Sequence, residues 1–304
     1  MLRTLSARLF TTTTPRYLPR MPAPAPVTSL DGRLKMHDGY TIPQFGFGVY
    51  EIDDDETYQC VKWALEAGYR HIDTAEWYEN EAPCGKAVND FVKSSGVPRS
   101  DIFLTTKLKN NSTYDRAYAD LKKSLKTAQV EYFDLYLMHS AIGGPEVRKN
   151  VWRALVDAQK EGLVKSIGVS NFGAQHIQEF IDQNLPLPVV NQVDLHPFMR
   201  HPSIVKICEE NNIILEAWGP LARAMRFDHP VLVRIAEEKG KDVAQIMLRW
   251  GLQKGYVLIP KSVSQKRIIS NSKLFDWELS EKEMGELEPL NETLVTDWYV
   301  VDCP

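Results

Sequence analysis

Residues 68-GYRHIDTAEWYENE-81 begin as a short β-rich run, stop at Asp73 and give way to acidic and aromatic residues, with Tyr78 five positions further on. An unpaired carboxylate is costly to bury. Asp73 therefore marks the end of a strand, at a place where other polar groups can meet it.

On either side of this stretch, apolar runs alternate with amphipathic segments of helical length. The runs are TIPQFGFG, YRHIDTA, DIFLTTKL, FDLYLMHS, VKSIGVSN, LPVVNQVDL, NIILEAWG and YVLIPKS, eight in all. Between them, 81-EAPCGKAVNDFVKSSG-96, 115-DRAYADLKKSLKTAQ-129 and 147-VRKNVWRALVDAQKEG-162 repeat apolar residues every three or four positions, the helical period. Several close on Gly or Asn, as helix ends do. Strand followed by helix, repeated, demands parallel neighbours joined by crossovers, and eight such units in about 250 residues have the size of a (β/α)8 TIM barrel. A doubly wound sheet would carry a G-x-G-x-x-G turn after its first strand, whereas GFGVYE continues into bulky residues. One barrel domain over residues 36–290 is expected, followed by a tail, 291-NETLVTDWYVVDCP-304, folding over one barrel mouth.

Composition narrows the classes of function. In 304 residues the formal net charge is -4, which leaves no basic footprint for nucleic acid, and no run of about 18 apolar residues suggests a membrane span. A small-molecule partner and a monomer or weak dimer are expected, with no metal site. The cysteines, Cys60, Cys84, Cys208 and Cys303, stand far apart without a C-x-x-C, which fits a reducing compartment. No cation flanks Cys84, so it is read as a buried spectator. Residues 1–30 differ from the rest: Arg3, Arg8, Arg16 and Arg20, a Thr run and no acid before Asp31. That is the makeup of a mitochondrial presequence, while Met21 offers a start for a shorter, cytoplasmic product.

Active sites of such barrels lie at the C-terminal ends of the strands, so the polar residues ending each run matter most. They are Asp73, Lys107, His139, Ser170 with Asn171, Asn191 with Gln192 and Asp194, Trp218, and Lys261 with Ser262. Adjacent strands bring Asp73 and Lys107 within ion-pair reach, and a buried cation beside a phenol is expected to lower the Tyr78 pKa from about 10. Tyr78 then serves as a proton donor, and a neutral His139 orients a carbonyl oxygen. Taken singly, each also has a structural reading: a buried ion pair, a rim aromatic, a core histidine. Their concentration at one barrel end favours chemistry.

In their order and spacing, GYRHIDTAEWYENE, TTKL, LYLMHS, GVSNF, VVNQVDLHP and IPKSVSQKR resemble the aldo-keto reductase superfamily over roughly residues 36–280. The resemblance implies Tyr78 as general acid, Lys107 and Asp73 as its activating pair, and His139 as the carbonyl-orienting residue. It also implies an extended NADPH across the barrel mouth, with Ser170, Asn171 and Gln192 on the nicotinamide carboxamide and Lys261, Ser262 and Arg267 on the 2′-phosphate. Asn271 matches the family's adenine contact. Trp218 stands where the family usually has a stacking Tyr, which keeps the aromatic face and loses the phenol's hydrogen bond.

Tyr50, Trp77, His139, Trp298 and Phe198 match or adjoin positions lining the family's substrate pocket. After His139 the chain reads SAIGGPEV, where many members carry Trp-Pro and a long loop. That shortening, with the brief tail, implies an open mouth suited to α-keto esters, diketones or aromatic aldehydes, and resembles the fungal branch. No carboxylate-binding Arg is evident at pocket positions. The expected activity is NADPH-dependent reduction of aldehydes or ketones. Two other functions stay open on the sequence: an NADPH-binding regulatory subunit, and a Schiff-base aldolase using Lys107.

Overall fold

The computed structural model describes residues 27–304. The presequence reading falls almost wholly on residues outside that range. Eight parallel strands follow one another around a barrel: β3 (Phe47–Gly48), β4 (His71–Asp73), β5 (Phe103–Leu108), β6 (Phe133–Met138), β7 (Val164–Ser170), β8 (Val190–Asp194), β9 (Ile214–Trp218) and β10 (Val257–Leu258). Each pairs with the next in parallel register, Lys107 lying opposite Leu137 and Gln192 opposite Glu216. The helices fall between them, among them α2 (Glu81–Ser95), α3 (Tyr114–Ala128) and α4 (Pro145–Lys160), within two residues of the segments read from periodicity. Gly96 ends α2 at φ 75°, the left-handed cap glycine provides.

One apolar run is not a single strand. TIPQFGFG divides into β2 (Thr41–Pro43), which pairs antiparallel with β1 (Arg33–Lys35), and the barrel strand β3. Pro43 has no N–H to offer a ladder, and the chain turns at Gln44, whose amide donates to the carbonyls of Leu252 and Tyr256 at 3.1 Å each. The β1–β2 hairpin is a plug. Its Leu34, Met36 and Ile42 pack against Phe103, Leu135, Leu137, Val190 and Val257 at the N-terminal end of the barrel. Apolar packing thus fills one end, and the inward polar residues are left to the other.

The barrel closes where β3 meets β10. A parallel bridge joins Phe45 to Leu258, Gly46 N–H donates to the Leu258 carbonyl at 2.8 Å, and Gly48 N–H to that of Pro260 at 3.2 Å. Both glycines are required by close approach. A Cβ on Gly46 would lie 2.8 Å from the His71 ring, and one on Gly48 would lie 2.8 Å from the Ile259 carbonyl oxygen. The two glycines of GFGVYE, which bulky residues follow where a dinucleotide-binding turn would need a third glycine, are therefore the seam of the barrel. Gly48→Ala should force the seam apart and lower the unfolding free energy by about 1–3 kcal/mol, the usual cost of overpacking, as read by urea denaturation; an unchanged midpoint would contradict this role.

Candidate active site

At the C-terminal end of the barrel, strand direction brings together residues far apart in sequence. Asp73 is the last residue of β4, and the chain then makes one 3₁₀ turn, Glu76–Tyr78, that swings Tyr78 back over the mouth. Lys107 points inward from the neighbouring β5 and is fully buried. His139 follows β6 directly.

Lys107 fixes the local geometry. Its Nζ donates to Asp73 Oδ1 at 2.6 Å, to the Thr74 carbonyl at 2.9 Å and to the Tyr78 hydroxyl at 3.2 Å. An ammonium has three N–H donors and no acceptor, so all three are spent. The Tyr78 oxygen can only accept from it, and the phenolic hydrogen is left to point elsewhere. Tyr78 lines the cavity above.

Electrostatics corrects one expectation. The Tyr78 pKa is raised to about 12, not lowered: burial pushes it up further than Lys107 pulls it down, and the Asp73 charge adds to the rise. The phenol is fully protonated at neutral pH. Burial lowers the Lys107 pKa, but Asp73 and Tyr78 more than offset this and the lysine stays charged. Burial, then Lys107, pushes His139 well below the ordinary histidine value, so its ring is neutral. It sits edge-on to the Tyr78 ring, with centroids 5.6 Å apart.

Asp73, Tyr78, His139, Ser170, Asn171, Gln192, Trp218 and Lys261 share one cavity of about 570 Å³. Much of its polar wall is already bonded to itself. Asn171, held at φ 57°, donates to the His139 carbonyl and the Ser170 hydroxyl, and Ser170 donates to the Gln192 carbonyl at 2.9 Å. Both amide hydrogens of Gln192 are used, on Asp73 at 2.9 Å and Glu216 at 3.0 Å. Its side-chain oxygen remains for a ligand's N–H. The Trp218 indole N–H donates to Asn171 Oδ1 at 2.8 Å, so the tryptophan keeps an aromatic face and also a hydrogen bond, and locks Asn171.

Ser262, Arg267 and Asn271 lie outside this cavity, on the loop after Lys261 and on α9 (Gln265–Asn271). Lys261 and Arg267 are exposed, and neither has a carboxylate within ion-pair distance among the described residues. Unpaired cations beside the start of a helix fit a bound phosphate. Asn271 is buried at 5% exposure.

Tyr50, Trp77 and Trp298 line the cavity, with Trp298 edge-on to His139 at 5.8 Å between centroids. Phe198 does not line it: at 1% exposure it packs in the core against His196 and His229. An arginine is present after all, since Arg223 lines the cavity, but its guanidinium is held by Glu51 at 2.8 Å and by Asp297 at 2.7 Å. It offers a substrate carboxylate little. Sequence reasoning passed over Arg223, Asp297 and Glu216. For Glu216 the signal was an acid inside the apolar run NIILEAWG; for Arg223 there was none, because its partners lie in distant loops. Cys84 is buried, and burial pushes its thiol up, as befits a spectator.

Comparison with known proteins accords with this geometry. The aldo/keto reductase family model matches residues 43–292. Glyoxal reductase of Bacillus subtilis is 42% identical over 266 residues, 87% of this chain and 94% of the relative. Methylglyoxal reductase of Escherichia coli is 41% identical over 85% of this chain and 93% of its own. Among solved structures, an aldo/keto reductase from Brucella melitensis is 40% identical and superposes with a TM-score of 0.82 over 87% of this chain and 99% of its own. A Bombyx mori aldo-keto reductase in complex with NADP, 32% identical, gives 0.83 over 89% and 95%. The chain belongs to the aldo/keto reductase family and is an NADP-dependent oxidoreductase.

Removing the indole N–H tests the self-bonded wall. Trp218→Phe should leave Asn171 Oδ1 buried without a donor and cost about 1–3 kcal/mol of stability, measured by urea unfolding, whereas a loss below about 0.5 kcal/mol would show the bond to be dispensable.

Proposed function

We propose that this protein reduces small, activated carbonyl compounds, 1,2-dicarbonyls foremost, with Tyr78 as proton donor. The observation that carries the reading is the donor count at Lys107: its three N–H groups point at Asp73, Thr74 and Tyr78, so the Tyr78 oxygen accepts from the lysine and its own hydroxyl hydrogen is left to face the cavity. When bound, NADPH supplies a hydride to the carbonyl carbon. Tyr78 gives its proton to the carbonyl oxygen as negative charge develops there, and Lys107 stabilises the phenolate left behind. Neutral His139 orients the carbonyl by hydrogen bonding without competing as a proton source. Gln192, Asn171, Ser170 and Trp218 hold the nicotinamide, and Lys261, Ser262 and Arg267 the adenosine phosphate.

Three features support small activated substrates. The relatives include reductases named for glyoxal and methylglyoxal. Only His139–Gly144 separate β6 from α4, which leaves that side of the mouth low. Arg223 is neutralised by two carboxylates, which disfavours acidic substrates. A Schiff-base role for Lys107 is disfavoured by the same donor count, since a charged amine bonded on all three hydrogens has no lone pair for attack.

Two measurements test this. Tyr78→Phe should lower kcat for methylglyoxal at least about a hundredfold while NADPH still binds; retention of most of the activity would sink the mechanism. Arg267→Ala should weaken NADPH about tenfold, as loss of a charge-assisted contact predicts, and leave NADH unaffected. Equal effects on both cofactors would remove Arg267 from the phosphate site.

A further inference from the structure

Beneath the reaction centre the barrel holds a second buried acid. Glu216, in the middle of β9, has no exposed surface. Its Oε2 accepts from Gln192 Nε2 at 3.0 Å, and the other hydrogen of that amide goes to Asp73 Oδ2 at 2.9 Å. One neutral amide thus bridges two carboxyl groups. Glu216 Oε1 has no hydrogen-bond partner; His71 Nε2 lies 3.5 Å from it.

The groups facing Glu216 can be taken strand by strand. From β4 come Asp73 and His71, and from β5 Lys107, whose hydrogens are all committed elsewhere. The neighbour on β8 is Gln192 and that on β10 is Val257, neither of which titrates. His71 is neutral, pushed to about 3 by burial. Around Glu216 these described residues thus supply one cation, Lys107, and two carboxyl groups, Asp73 and Glu216 itself. A second ionised carboxylate would rest on a single amide donor, far short of what a buried charge needs. The acid instead keeps its proton, on the unpartnered Oε1, and burial followed by the Asp73 charge raises its pKa to about 8.

We propose that Glu216 is a positioning residue for carbonyl reduction: a proton-bearing carboxyl group that acts through the Gln192 amide on Asp73 and sets the alkaline limit of the reaction. The proposal rests on Tyr78 being the proton donor. Glu216 is fully buried and does not line the cavity. While neutral, it leaves Asp73 as the single counter-charge to Lys107 and holds Gln192 so that its oxygen is free toward the cavity. Once ionised, it adds a negative charge on the far side of Gln192. That charge makes proton release from Tyr78 harder, as Asp73 already does, so reduction slows as pH rises.

The test compares wild type with Glu216→Gln, which keeps the shape and is permanently neutral. With saturating NADPH and methylglyoxal varied below its KM, kcat/KM of the wild type should fall about tenfold between pH 7 and 9, the response of one ionisation near 8. In E216Q that limb should move up by at least about one pH unit. A limb at the same pH in both proteins would overturn the proposal, since loss of packing alone lowers activity without moving its pH dependence. Infrared spectroscopy gives a readout independent of turnover. The wild type should show the carbonyl stretch of a protonated carboxylic acid that vanishes near pH 8 and is missing from E216Q. A wild type losing no such band between pH 7 and 9 overturns the proposal even if E216Q cannot be purified. Tyr78→Phe should abolish turnover and keep the band, so failure of the proton-donor reading and failure of this one are distinguishable.

Discussion

The site depends on one buried ion pair, Lys107 with Asp73. Their 2.6 Å contact is nearly sealed from solvent, and taking either charge away would leave the other buried and uncompensated, a loss of about 3–5 kcal/mol. The pair orients the chemistry as well as balancing charge. With two lysine hydrogens directed at Asp73 and Thr74, the third is aimed at Tyr78. The Tyr78 hydroxyl hydrogen is turned away from the lysine, toward the cavity that Tyr78 lines.

Everything else supports that arrangement. A parallel ladder places Asp73 beside the β5 strand that carries Lys107, and the hairpin plug fills the opposite end of the barrel with apolar side chains. Closure at the glycine seam fixes the spacing between β3, with Tyr50 in the loop that follows, and β10, followed by Lys261. The tail completes the wall: Thr296 donates to Asp194 at 2.9 Å, Asp297 pairs with Arg223, and Trp298 faces His139. A polar network then runs down from the mouth through Gln192 to Glu216.

Much of this was legible in the sequence because strand ends are marked. Asp73, Lys107, His139, Ser170, Gln192 and Trp218 each terminate or closely follow an apolar run, and a parallel barrel gathers such ends at one mouth. Tyr78 could be placed by its distance from Asp73. What could not be read were balances and long-range partners. The Tyr78 pKa depends on burial competing with a cation, and composition reveals only the cation. Phe198 looks like a pocket aromatic but points into the core. TIPQFGFG reads as one strand until Pro43 is recognised as its break. Arg223 is neutralised by Glu51 and Asp297, 172 and 74 residues away in sequence, a pairing that no local pattern announces.

The central claim is the position of a single proton, and neutron diffraction from deuterated crystals at neutral pH would show it directly. Three deuterons should appear on Lys107 Nζ, directed at Asp73, the Thr74 carbonyl and Tyr78, with the Tyr78 deuteron turned into the cavity. A Tyr78 deuteron pointing at a Lys107 that carries only two would contradict the account.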